Sequence, residues 1–284
     1  MIEFPTLNRK HNEIREIVRV FAEKEIKPIA ASLDAKGEFS VTLTKRMGEL
    51  GLFGMTLPEK YGGKNLDTLA YVIAVEELAR IDGSQAATVA SHNSLGLAPI
   101  NKFGSEKQKK ELLPDMCTGK RLWAFGLTEP NAGSDSRGTE TRAELRDGQW
   151  IINGNKIFIT NSASEISAGA TIQVVTGEHN EEKELSVILV PRTAQGYSYE
   201  RIDNKMMWRA ADTGKLFFDN CTVPEENLLG NRGDGARIML DTLDSGRLSI
   251  AAMGLGLAQG ALELAMEYAK KRVQFGRPIF KFQS

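Results

Sequence analysis

The sequence predicts an α+β protein: a helical N-terminal domain, an antiparallel β middle domain and an incomplete C-terminal helical bundle. Three observations lead there. Apolar residues recur at helical spacing through 14–78, glycine-marked turns divide short β-prone runs between 141 and 218, and helical spacing returns after Gly235. The expected domain boundaries are 1–119, 120–232 and 233–284.

Ile14, Ile17, Val18, Phe21 and Ile26 predict a first helix ending near Pro28. A short helix over 41–50 should stop at Gly51, and Tyr61-Gly62-Gly63 marks a loop. Leu69, Val72, Ile73, Val75 and Leu78 form the next stripe. Ser105-Glu106-Lys107-Gln108 has the spacing of a capping box, in which serine and glutamine side chains each satisfy a free backbone N–H, so a helix begins there. Near Gly119 the texture changes. Asp147-Gly148 and Asn153-Gly154 are both two-residue hairpin signals, because such turns need positive φ. They separate β-prone runs at 141–146, 149–152 and 156–160. Further strands are expected at 170–176, 185–190 and 215–218, with 178–184 a solvated hairpin loop. After Gly235, the series Met239, Leu243, Leu248, Leu255, Leu262, Ala265 and Tyr268 traces one long helix. A single helix cannot bury such a stripe alone. Residues 275–284 show no cap or partner element, so the bundle is expected to be cut short.

At 41% hydrophobic and 26% charged, the 284 residues have the make-up of a folded protein with one large or two ordinary domains. A net charge of −1 gives no general attraction to nucleic acid or anionic lipid. Cys117 and Cys221 form neither a disulfide framework nor a metal-ligand spacing and read as isolated thiols in a reducing compartment. Residues 1–10 lack the pattern of a secretory signal. The longest apolar run, 248–258, falls short of the ~20 residues that span a bilayer. A cytoplasmic location is expected. No G-x-G-x-x-G follows a predicted strand, which excludes a Rossmann site. His11, His92 and His179 are scattered, and no metal site is expected; His92 reads as structural. Gly254-Leu255-Gly256 reads as a close-packing site within a helix, and the apolar-basic cluster 206–209 as packing between strands and a loop, with a pocket edge as the alternative.

Two segments carry chemistry. In LTEPNAGSD, 127–135, a strand end runs into a loop whose small residues and hydroxyls, Thr128 and Ser134, let backbone N–H groups approach a flat polar ring. In KIFITN, 156–161, strand alternation would put Phe158 and Thr160 on one face, an aromatic over a ring and a hydroxyl at its edge. Singly, each residue also fits an ordinary strand or core position.

Together these segments resemble the acyl-CoA dehydrogenase family along the whole chain. The shared pattern includes Leu50-Gly51-Leu52, Pro58 to Gly63, Glu76-Glu77-Leu78-Ala79-Arg80, LTEPNAGSD, NGNKIFITN, Val223 to Gly230, Gly246-Arg247 and Arg272 to Gly276, nearest the short-chain, butyryl-CoA-type branch. The resemblance implies FAD as cofactor and a homotetramer. It implies that Phe125, Leu127, Thr128, Gly133 and Ser134 line the flavin while Phe158, Ile159 and Thr160 cover it. Ser134, Asp244 and Arg247 would meet the acyl-CoA, although Asp244 and Arg247 alone also fit a surface i,i+3 ion pair. Arg272, Gln274, Phe275 and Gln283 would hold the FAD of a neighbouring subunit.

The implied reaction removes an α-proton from the acyl thioester and passes the β-hydrogen to the flavin, giving a trans-2-enoyl-CoA. The electrons leave to an electron-transfer flavoprotein. In one branch the carboxylate base precedes the arginine of the first C-terminal helix, where this chain has Gly246. That points to the other branch, with the base expected beyond Ser284. Two alternatives share the fold: an acyl-CoA oxidase, and a non-catalytic member that binds CoA ligands or a partner protein.

Overall fold

The computed structural model describes residues 7–180 and 182–283. Helices come first: α1 (Arg9–Phe21), α2 (Lys27–Lys36), α3 (Val41–Glu49), α4 (Thr68–Ala79), α5 (Gly83–Ser91), α6 (Ala98–Phe103) and α7 (Glu106–Cys117). Pro28 does not end the first helix. A π-helical turn over Ala22–Ile26 joins α1 to α2, and the proline lies in the first turn of α2, where its missing N–H breaks no helical bond. The expected capping box of α7 is formed, with Ser105 and Gln108 each bonding the other's backbone N–H. The Glu76-to-Arg80 motif is an ionic hub. Glu77, almost fully buried, takes Arg19 at 2.8 Å and Arg15 at 3.4 Å, and Arg80 binds Glu23 at 2.5 Å and Glu263 at 2.6 Å.

Seven strands follow: β1 (Leu122–Gly126), β2 (Arg142–Arg146), β3 (Gln149–Thr160), β4 (Ser167–His179), β5 (Glu182–Pro191), β6 (Tyr197–Arg201) and β7 (Thr213–Pro224). The order is β1-β4-β2-β3-β7-β6, with β5 also on β4. Pairings are antiparallel except where β4 runs parallel to β1 and, at Arg142↔Val175, to β2. Asp147-Gly148 makes the expected hairpin turn, both at positive φ. Asn153-Gly154 does not. β3 runs straight through it, with a register shift at Gly154. That glycine is needed for close approach, since a Cβ there would lie 2.6 Å from Thr141 Oγ1. Nor is 178–184 an open loop: pairing continues through Glu178↔Lys183 and His179↔Glu182. Glu181, and residues 1–6 considered above for a signal, lie outside the described residues.

The helix α8 (Gly235–Lys271) is a single 37-residue rod, followed by a tight hairpin of β8 (Val273–Gln274) and β9 (Arg277–Pro278) where no partner element was expected. By length and composition α8 could cross a membrane, because its glycines and serines interrupt the apolar run without making it polar. Here it lies against α4. A Cβ on Gly256 would stand 2.2 Å from Glu76 O and one on Gly260 2.0 Å from Arg80 O, so the two backbones touch. Gly254, grouped with Gly256 as a packing glycine, faces open space.

Candidate active site

The site forms where α5, β1, β3 and α8 converge. α5 passes into a second π-helical turn (His92–Leu97), a distortion of the kind that recurs at functional sites. It presents Ser91, Ser94 and Leu95 to a cavity of about 520 Å³. Ala87 and Thr160 contribute to the wall, α8 adds Leu243, Gly246, Arg247 and Ile250, and Trp208 closes one side. Two of the hydroxyls in the wall have their protons spent on backbone: Ser94 Oγ donates to Ala90 O at 2.7 Å and Ser249 Oγ to Gly246 O at 2.9 Å. The space is suited to an apolar chain. An adjoining cavity of about 180 Å³ shares Ser91, Leu95, Thr160 and Leu243 with it and adds Phe125, Leu127, Thr128, Phe158 and Ile159.

Six of the residues singled out from the sequence, Phe125, Leu127, Thr128, Phe158, Ile159 and Thr160, thus meet at one place, and Thr160 borders both cavities. Phe158 and Thr160 get there by a different route from simple alternation. Trp150, Ile152 and Lys156 alternate inward, then the register shifts between Lys156 and Ile159, with Phe158 at φ 62°. The bulge reverses the phase, so Ile159 turns in and Phe158 stands 64% exposed at the cavity rim. Arg247 lines the larger cavity and pairs with Asp244 at 3.6 Å, both being mostly exposed.

The remaining predicted residues lie apart within this chain. Gly133 and Ser134 are exposed and border neither cavity, and a Cβ on Gly133 would meet nothing within 4 Å. Arg272, Gln274, Phe275 and Gln283 are exposed beyond the end of α8.

A buried ion pair supports the smaller cavity from beneath. Lys156 Nζ reaches Glu129 Oε1 at 2.6 Å and Leu127 O at 3.3 Å, and Glu129 also accepts from the backbone N–H of Glu140 at 2.6 Å and of Thr141 at 3.2 Å. Burial pulls the Lys156 ammonium down to about 8, against the attraction of Glu129. Burial pushes Glu129 up, but Lys156 and the hydrogen bonds to Thr141 and Glu140 outweigh it and hold the carboxyl below its ordinary value. The loop 127–132 is thereby fixed to β3. Sequence reading passed over Lys156, though a lysine in phase with Trp150 and Ile152 is a signal that it needs a buried partner. Of the two readings of 206–209, packing is the favoured one, but Trp208 forms cavity wall, as the pocket-edge reading has it, and Met206 is almost fully exposed.

His92 is structural. Its Nδ1 accepts from Trp123 N at 3.1 Å, which leaves Nε2 to carry the proton toward Met116 O at 3.1 Å. Complete burial lowers its pKa to about 4. Cys117 and Cys221 are buried free thiols, and no metal-holding cluster occurs among the described residues.

A helical layer, a β layer and a long helix around paired cavities, one apolar and one flanked by threonines and an aromatic ring, define an α+β protein with a small-molecule site at a domain junction. The chain belongs to the acyl-CoA dehydrogenase family. It matches the family models for the N-terminal domain over residues 8–120, the middle domain over 124–221 and the C-terminal domain over 233–284. It is 40% identical over 277 residues to the short-chain-specific acyl-CoA dehydrogenase of Clostridium acetobutylicum, covering 98% of this chain and 73% of that one. The fold is similar to butyryl-CoA dehydrogenase from Megasphaera elsdenii (TM-score 0.93, 38% identity, 99% of this chain and 74% of that one). It is similar also to an acyl-CoA dehydrogenase complexed with FAD from Bacillus anthracis (TM-score 0.92, 35% identity, 99% of this chain and 48% of that one).

Proposed function

We propose that this chain binds FAD and an acyl-CoA thioester, and belongs to an enzyme that converts the acyl group to its trans-2-enoyl form and passes electrons to an electron-transfer flavoprotein. The observation that carries this is the junction at Thr160, where an apolar cavity of about 520 Å³ meets a cleft bounded by Thr128 and the free-standing ring of Phe158. An exposed aromatic beside two hydroxyls fits one face and edge of a flavin ring. When bound, FAD supplies the hydride acceptor. In this reading Phe125, Leu127, Thr128, Ile159 and Thr160 orient it, and Arg247, paired with Asp244, meets the CoA portion. Gly133 and Ser134 are near neighbours in the same loop. The exposed Arg272, Gln274, Phe275 and Gln283 suit service to a second subunit, in keeping with a homo-oligomer. Two buried unpaired thiols suit a reducing cytoplasm.

Neither cavity is lined by a carboxylate among the described residues, and Gly246 occupies the wall position from which α8 could have offered one. The base that removes the α-proton is therefore assigned to none of the residues described here. A positioned base contributes ~10²–10⁴-fold in rate. The test is a visible spectrum of the FAD-loaded protein under anaerobic butyryl-CoA. We expect a shift of the flavin bands without bleaching. Rapid bleaching would place the base within these residues, and an unchanged spectrum at saturating thioester would refute the acyl-CoA assignment.

A further inference from the structure

We propose that Trp208 is the stop that fixes how long an acyl chain the larger cavity accepts. The inference rests on the acyl-CoA reading of that cavity and names the residue that sets its reach. The indole forms part of the cavity wall, yet it comes from the loop between β6 and β7 rather than from the helices that make most of the rest. Its edge is wedged against the start of α5, beside Leu257 one heptad along α8 from the cavity-lining Ile250. A Cβ placed on Gly83 would lie 3.0 Å from Trp208 Nε1, 3.1 Å from its Cδ1 and 3.3 Å from Leu257 Cδ2. The ring therefore fills the seam between two helices at a point where one of them has no side chain. Take the ring away and the cavity gains that seam as an extension.

Two further features set Trp208 apart from ordinary wall packing. Its backbone lies at φ 50°, a conformation that a bulky residue adopts only when its surroundings impose it, and such strain is concentrated at ligand-holding sites. Its Nε1–H is buried without a hydrogen-bond partner. Shape alone holds the indole, so replacing it breaks no polar contact, and a smaller apolar ring orphans no donor.

The test is calorimetric titration of the FAD-loaded protein with butyryl-, hexanoyl-, octanoyl- and decanoyl-CoA, for wild type, Trp208→Phe and Trp208→Ala. Each methylene newly buried should tighten binding about 4-fold, until the chain meets the stop. In wild type the gain should end at a definite chain length. In Trp208→Ala it should continue for about two more methylenes, roughly a 15-fold gain for the first thioester that wild type no longer favours, with Trp208→Phe between them. If Trp208→Ala fails to fold, Trp208→Phe alone must still move the end point. The same end point in all folded variants overturns the role of Trp208. Failure of every thioester to bind wild type, with FAD in place, overturns the acyl-CoA reading instead.

Discussion

At the scale of single residues, the groups beneath the site show how much burial can do to charge. His92 is held neutral by a donor on one side and an acceptor on the other, with its pKa lowered to about 4 by burial. Between about 6.5 and about 4 the unfolded chain takes up a proton that the folded chain refuses, so stability is complete above that window and falls as pH drops through it. The loss from this one residue should reach roughly 3 kcal/mol at pH 4. Urea midpoints measured from pH 7 to pH 4.5 check it. His92→Gln should be less stable than wild type at pH 7 by ~1–3 kcal/mol, through its unsatisfied neighbours, but should lose less on acidification. Parallel acid slopes for the two proteins would show that His92 is not the titrating group. The structural role of His92 was legible in the sequence, because its neighbours are short polar residues and no second ligand stands nearby. The Lys156–Glu129 pair was not, since its members lie 27 positions apart and only the fold of the intervening strands brings them together.

At the scale of elements, what was legible depended on whether a signal was local. Asp147-Gly148 makes its turn because both positive-φ positions fall where two strands end. Asn153-Gly154 carries the same signal but sits opposite β7, whose pairing extends β3 and turns the glycine into a bulge against Thr141. A long-range partner overrode a short-range preference. The same distinction separates three glycines of α8. In a helix alanine is favoured over glycine by ~1 kcal/mol, so Gly254→Ala, facing open space, should stabilise the protein by up to about that amount. For Gly260→Ala the new Cβ would come within 2.0 Å of Arg80 O, a backbone atom with no rotamer to yield. Overpacking of ~1–3 kcal/mol then outweighs the propensity gain, and Gly256→Ala should behave likewise. Thermal melts of the three variants decide the matter. Equal effects at 254 and 260 would mean that α8 does not rest on α4 as described.

At the scale of the whole molecule, the helix–sheet–helix order could be read from periodicity, but the cavity could not. Its walls come from Ala87, Trp208 and Ile250, which no local pattern connects. The long helix poses the last physical question. One side is fixed by Gly256 and Gly260 on α4, by Glu263 on Arg80, and by Asp241 on Lys102 at 2.6 Å. Away from these contacts Leu248, Leu255, Leu262 and Met266 share one flank of the helix and Leu264 and Tyr268 stand on the opposite flank, all half exposed or more. Soluble monomers rarely expose contiguous apolar surface beyond a few hundred Å², so the flank carrying Leu248, Leu255, Leu262 and Met266 should drive association of the 284-residue chain in water. Sedimentation velocity should show mass rising with protein concentration. Leu255→Glu with Leu262→Glu, one face of α8 at seven-residue spacing, should return the chain to a monomer without unfolding it, because the face that rests on α4 is untouched. A chain that stays monomeric at every concentration would instead mean that the exposed stripe is covered from within, and that α8 sits differently on the helical domain.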